Sequence, residues 1–138
     1  MKRVHVVAAA IFSGDRLLIA RRSPTKAQGG YWEFPGGKVE GEESEIVALV
    51  REINEELGIN DLKVLEHVTT DSHRYNEIFV VLSVFACATA QRPTRMISHD
   101  MVEWVGRERL EQLNWAPADV VAVQRLRESW DRYLALLS

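Results

Sequence analysis

The stretch from Ser44 to Gly58, SEIVALVREINEELG, constrains this chain more than any other. Ile46, Leu49, Val50, Ile53 and Leu57 recur at three- and four-residue spacing, the period of a helix with one buried face. Ser44 suits the N-cap, Glu45 suits the positive first turn, and Gly58 supplies the stop. A helix with one apolar stripe needs another layer to cover it. The last turn is anomalous. Glu52, Glu55 and Glu56 fall in one sector beside the apolar face, together with the small Ala48. The macrodipole is already negative there, and like charges at helical spacing repel. Such a cluster costs stability unless positive charge sits among its members. Taken alone, it reads as a solvated acidic patch in which Arg51 pairs with Glu55.

The rest of the chain supplies the layer. Residues 3–12 and 16–21 are apolar, β-branched runs separated by SGD, the signature of a hairpin. The opening MKRVHVVAAAIF imitates a leader peptide, but His5 interrupts the apolar run, so a first strand is expected. SPTKAQGGY is a loop, WEF a short extended piece ended by PGG. LKVLEHVTTD and EIFVVLSVFACATA are long strands joined near residues 73–76; the second is apolar on both faces, so it belongs in the middle of a sheet. MVEWV is a short strand and RERLEQL a short helix. A final helix is expected with Val123, Leu126, Trp130, Leu134 and Leu137 on one face. Mixed strands with two substantial helices indicate an α/β or α+β layered fold, and 138 residues suffice for one domain with a real core.

Charge and composition exclude some functions. A net charge of −3 argues against a partner that is a nucleic acid polymer, which would select a basic surface. No apolar run approaches the ~18 residues of a membrane span. Cys87, the single cysteine, sits in an apolar run and reads as a small core residue, which fits a reducing cytoplasm.

The acidic helix end adjoins a glycine-rich loop, PGGKVEGEE, which brings bare backbone carbonyls to the same place. Carboxylate and carbonyl oxygens are what hard divalent cations prefer, and magnesium typically shares phosphate oxygens of a substrate. Such ions polarise phosphoryl oxygens and lower the pKa of a bound water. Metal-assisted hydrolysis of a phosphoanhydride is the reaction class these residues point to.

The spacing from Gly37 to Glu43, on to Arg51, then through Glu52, Glu55, Glu56, Leu57, Gly58 and Ile59 resembles the Nudix box without a departure. With WEFPGGK before it, the chain is similar to the MutT-type branch of the Nudix hydrolases. The resemblance implies an α/β/α sandwich around a mixed sheet. It implies magnesium, with manganese as a substitute, held by Glu52, Glu55, Glu56 and the main-chain carbonyl of Gly37. Glu43 and Arg51, with Gly58, would brace the loop–helix–loop. The implied activity is cleavage of a nucleoside triphosphate to the monophosphate and pyrophosphate. Related enzymes often add a glutamate from the loop before the strand carrying Trp104, where this chain has Ser98; Asp100 or Glu103 could take that catalytic place, and Glu55 is a further candidate base.

NWAPAD, residues 114–119, stands where MutT-type proteins read the base. Asparagine occupies the Asp119 position in MutT itself, and aspartate in relatives acting on cytosine nucleotides. An ionised Asp119 only accepts hydrogen bonds, which cytosine N4 or 8-oxoguanine donors satisfy equally; Asp119 is also a candidate N-cap of the last helix. Phe34 and Trp115 are candidate stacking surfaces or core. Arg22 resembles a nucleotide-contacting position, and Lys38 stands where it could neutralise pyrophosphate. Solvated roles are expected for Arg21 and Lys26, and a structural or solvent role for His99. The function expected is sanitation of oxidised or modified nucleotides such as 8-oxo-dGTP by a cytoplasmic monomer or weak homodimer. Its rivals are the same chemistry on CTP or 5-methyl-dCTP, and a Nudix module that senses nucleotide without catalysis.

Overall fold

A computed structural model describes residues 2–25 and 29–137. In chain order its elements are β1 (Lys2–Ser13), β2 (Arg16–Arg22), β3 (Trp32–Glu33), β4 (Gly36–Lys38), α1 (Glu45–Leu57), β5 (Lys63–Tyr75), β6 (Ile78–Ala88), β7 (His99–Val105), α2 (Val120–Glu128) and α3 (Trp130–Ala135), with short 3-10 turns at Arg107–Gln112 and Pro117–Asp119. Lys26 lies outside the described residues.

β1 is apolar on both sides of its pleat over residues 7–12, so alternate residues need two separate apolar layers. It obtains them at the middle of a mixed sheet ordered β3-β2-β1-β6-β5, with β4 added on β1 and β7 on β2. β1 and β6 run parallel from Lys2 and Ile78 to Phe12 and Ala88; the other pairings are antiparallel. The expected hairpin forms at Gly14, which takes φ +58°. Ala8, Ala10 and Phe12 face α2 and α3, packing with Val123, Leu126 and Trp130. Val7, Ala9 and Ile11 face α1, packing with Leu49, Ile53 and Leu57. The result is the α/β/α sandwich around a mixed sheet. Cys87 is fully buried in the second layer, and burial pushes its thiol pKa well up, so it is a packing residue.

Two helix assignments need correction. α1 has the expected caps: Ser44 Oγ accepts from Val47 N–H at 3.1 Å, and Gly58 closes the helix at φ +71°. Its buried face, however, holds Ala48, Leu49, Glu52, Ile53 and Leu57, whereas Ile46 and Val50 are 49% and 38% exposed. The helix is rotated toward the glutamate sector because the β4 backbone leaves room there. A Cβ on Gly37 would lie 2.3 Å from the Glu52 carboxylate, and one on Gly36 would lie 1.9 Å from the Val7 carbonyl oxygen. The final helix is also interrupted. Ser129, at φ −111° and ψ 23°, breaks it, and Trp130 and Tyr133 both reach Phe12, with ring centroids 5.2 and 6.3 Å away. Tyr133 takes the buried position, while Leu134 and Leu137 are only partly buried.

Candidate active site

A cavity of about 500 Å³ opens between β1, β4, α1 and the segment leading into α2. Its two ends are built differently.

At the first end, the loop after β4 is stitched to α1 by one side chain. The Arg51 guanidinium donates to both oxygens of Glu43 (2.7 and 2.8 Å), to the Lys38 carbonyl (3.1 Å), to Glu52 (2.9 Å) and to Glu55 (3.2 Å). Glu43 Oε1 also accepts from Glu40 N–H at 2.9 Å. The bonds from Arg51 hold the Glu43 carboxyl down at about 2, and the Arg51 pKa rises in return, chiefly through Glu43. Part of the positive charge that the acidic helix end requires is therefore Arg51 itself. Burial raises the Glu52 pKa, opposed by its bond to Arg51.

The three glutamates do not share one environment. Glu52 and Glu56 line the cavity beside Gly37 and Lys38, while the Glu55 side chain is 59% exposed and turned to Arg51. Glu56 Oε1 accepts a hydrogen bond from Ser98 Oγ at 3.1 Å, and its Oε2 is buried without a partner among the described residues. Among the described residues no three acidic or histidine side chains yet enclose a common point. Even so, an orphaned carboxylate oxygen beside a second buried carboxylate, in a space that any Cβ on Gly37 would fill, suits a small oxygen-seeking cation.

At the second end, backbone pairing carries the 114–116 segment onto β3: Trp32 N–H donates to the Asn114 carbonyl (2.9 Å) and Ala116 N–H to the Trp32 carbonyl (2.8 Å). This sets Asp119 over Phe34, whose N–H donates to Asp119 Oδ1 at 3.1 Å. Asp119 is buried and makes no side-chain cap to α2, so the capping role is replaced by a bond across the cavity wall. Burial, reinforced by nearby Glu33, pushes its pKa up to about 8. Tyr75 Oη accepts from Ala118 N–H at 3.2 Å and also lines the cavity. Phe34 lines it too. Trp115 does not: it stands behind Phe34, rings 5.1 Å apart, with its N–H donated to the Leu110 carbonyl at 2.8 Å.

Arg22 lines the cavity and donates to Glu33 at 3.4 Å. Glu33 also accepts from His99 Nε2 at 2.8 Å; the His99 side chain is 2% exposed and its Nδ1 has no partner among the described residues. Glu33 and Tyr75 carry no motif of their own in the sequence, and His99 takes a place in the cavity wall beyond the structural or solvent role its isolation suggests. The alternation of β7, which sends His99 to the cavity, was the usable signal. The same alternation corrects Asp100. It points away from the cavity and is held by Arg21 at 2.9 and 3.0 Å, a pairing that lowers its pKa and places Arg21 in a half-exposed ion pair. Glu103 lies toward Arg109, 4.0 Å away, and outside the cavity lining as well.

A sandwich with a buried and a half-buried glutamate at a glycine loop is what a hydrolase of the Nudix class presents, and comparison with known proteins agrees. The NUDIX domain model matches residues 1–126, and the chain belongs to the Nudix hydrolase family. It is 37% identical over 120 residues to the CTP pyrophosphohydrolase of Escherichia coli strain K12, covering 87% of this chain and 88% of that one. It is 38% identical over 85 residues to the 8-oxo-dGTP diphosphatase of Proteus vulgaris, covering 61% and 75%. The solution structure of the DNA mismatch repair protein MutT, a Nudix hydrolase from methicillin-resistant Staphylococcus aureus 252, superposes with a TM-score of 0.76 at 42% identity over 94% of this chain and 99% of that one.

Proposed function

We propose that this chain is a one-domain pyrophosphohydrolase that cleaves an oxidised or modified nucleoside triphosphate, such as 8-oxo-dGTP, to the monophosphate and pyrophosphate, with magnesium as cofactor and manganese as a substitute. The observation that carries this reading is the cavity's polarity. The unpartnered Glu56 Oε2 stands at one end and the buried Asp119 carboxyl at the other. Glu52, Glu55, Glu56 and the Gly37 carbonyl would hold the cation; of these Glu55 also accepts from Arg51 at 3.2 Å. A divalent ion at this place polarises a phosphoryl oxygen and acidifies a bound water. Lys38, at the rim, neutralises the departing pyrophosphate, and Arg22 contacts the nucleotide. Glu43 and Arg51 keep the loop on the helix.

Phe34 and Asp119 read the base, with Trp115 fixing the Phe34 ring from behind. With its pKa at about 8, Asp119 carries a proton at neutral pH and both donates and accepts. A base edge with an acceptor beside an N–H donor answers it, as 8-oxoguanine does. Cytosine does so too through N3 and N4, and the second reading, CTP or 5-methyl-dCTP, is favoured by the likeness to the CTP pyrophosphohydrolase over 87% of the chain. A cytoplasmic monomer or weak homodimer engaged in nucleotide-pool sanitation completes the proposal; among the described residues no helix is long and apolar enough to cross a membrane.

Pyrophosphate release from a panel of triphosphates with magnesium tests it. Fastest turnover of 8-oxo-dGTP is expected. A clear preference for cytosine nucleotides transfers the assignment to the second reading. Nucleotide binding without release from any triphosphate leaves a sensing module.

A further inference from the structure

The helix end that carries the glutamates is covered by the segment between β6 and β7. Thr94 N–H donates to the Leu57 carbonyl at 2.8 Å, and its Oγ1 fills the place where a Cβ on Gly58 would stand, 1.9 Å away. The Arg95 guanidinium donates from Nε to the Glu55 carbonyl (2.8 Å) and from Nη2 to the Asn54 carbonyl (2.5 Å). The last turn of α1 thus has its carbonyls taken by one segment, and Arg95 puts a positive charge on the negative pole of the helix. Three residues on, Ser98 donates its hydroxyl to Glu56 Oε1 at 3.1 Å, while its carbonyl accepts from Ser23 N–H at 3.3 Å. The segment is pinned at both ends, and between the pins it touches a glutamate that the cavity needs.

We propose that residues 94–98 form a strap, clamped by Arg95 on the carbonyl end of α1, and that Ser98 at its far end is a positioning residue that orients Glu56 for the divalent cation. The inference rests on the metal assignment made above. Glutamate has several rotatable bonds, and fixing them costs entropy each time a ligand is bound. A hydroxyl that holds Oε1 removes that freedom in advance and leaves Oε2 directed and unshared. Groups that orient a ligating side chain in this way typically matter about tenfold or more to metal affinity. Arg95 acts one step further back. Its two bonds to main-chain oxygens do not occupy any carboxylate, so it offsets the acidic cluster's repulsion while leaving the side chains available.

The test is manganese titration, read by electron paramagnetic resonance without nucleotide, on the whole chain and on Ser98→Ala, Ser98→Thr, Arg95→Met and the double variant Arg95→Met/Ser98→Ala. The expected result is affinity about tenfold weaker for Ser98→Ala, with recovery in Ser98→Thr because the hydroxyl returns. Arg95→Met is expected to weaken binding similarly, and the double variant to lose no more than the single ones, since Arg95 acts only by keeping Ser98 on Glu56. Parental affinity in Ser98→Ala, or no recovery in Ser98→Thr, overturns the role of Ser98; losses that add in the double variant overturn the role of Arg95. If only the variants fail to differ from a manganese-binding parent, the strap is wrong and the metal site stands. If the parent itself takes up no manganese, the metal assignment falls and the strap with it.

Discussion

Two carboxyl groups, one in the loop that braces the first end of the cavity and one in the wall of its second end, behave in opposite ways. Glu43, in the glycine loop, is held at about 2 by Arg51; Asp119, over Phe34, is pushed up to about 8 by burial. The first region is a half-buried net of charged groups close to one another in sequence, and the second a desolvated pocket assembled from distant segments. Charge holds the cation end together; exclusion of water sets the chemistry of the base end. It follows that substitutions at the two ends should fail in distinguishable ways, one in turnover of every substrate and the other in the choice among them.

The largest expected effect separates the two ends directly. Glu56→Gln should lower pyrophosphate release by about a thousandfold for every base, the scale of losing a few kcal/mol of transition-state stabilisation. Glu55→Gln should cost less, because its carboxylate is shared with Arg51. Equal and small losses for both would place the cation elsewhere. At the other end, Asp119→Asn should shift the ratio of kcat/KM between 8-oxo-dGTP and CTP by about tenfold to a hundredfold while manganese affinity stays at the parental value. A uniform fall across bases would mean that Asp119 only shapes the pocket wall.

The same contrast explains what could be read from the sequence. Glu43, Arg51, Glu52 and Glu56 are tied by one loop and one helix, so their spacing alone places them together. The β1–β2 hairpin and the inner place of β6 were legible in apolar runs and a turn, whereas the order of the remaining strands was not. What failed, failed where tertiary placement overrides a local pattern. The helix rotates past Ile46 and Val50 because two glycines of β4 let Glu52 in, and periodicity alone cannot register a neighbour's missing side chains. Asp100 fitted as a nearby acid by count, yet strand alternation turns it to Arg21 and gives the cavity His99. Tyr75, Glu33 and Asp119 meet only after β3 pairs with the 114–116 segment and β5 turns back on β6. No window of sequence contains that meeting.

A smaller effect probes the junction of loop and helix. Gly37→Ala puts a Cβ 2.3 Å from the Glu52 carboxylate, which Arg51 holds in place. The side chain must give way, and overpacking of this kind costs about 1–3 kcal/mol. For a chain of this size the melting temperature should fall by about 3–10 °C, and turnover should fall for all bases alike. An unchanged melt with unchanged turnover would show that Glu52 moves freely, and the notion of a preformed cradle would be lost.

The smallest effect is read by pH, and it sets the two carboxyls against each other. The Asp119 pKa rises from 3.8 to about 8 on folding, so between those values the folded chain holds a proton that the unfolded chain has released. Stability from this group is fully present below about pH 4 and is lost progressively as pH rises through about 8, because the native state then binds more protons than the unfolded one. Glu43 runs the other way. Its pKa falls from 4.5 to about 2, so its contribution is present above about pH 4.5 and is lost as pH drops through about 2; in an ion pair that water partly reaches and screens, it should count for little. Melting temperatures of the parent and of Asp119→Asn, followed from pH 5 to 9, should therefore diverge. The parent declines relative to the variant up to about pH 8, and the two curves run parallel above it. Curves parallel throughout would mean that Asp119 is ionised in the folded chain at neutral pH. The base end would then be an acceptor alone, and the contrast with the cation end would reduce to one of position.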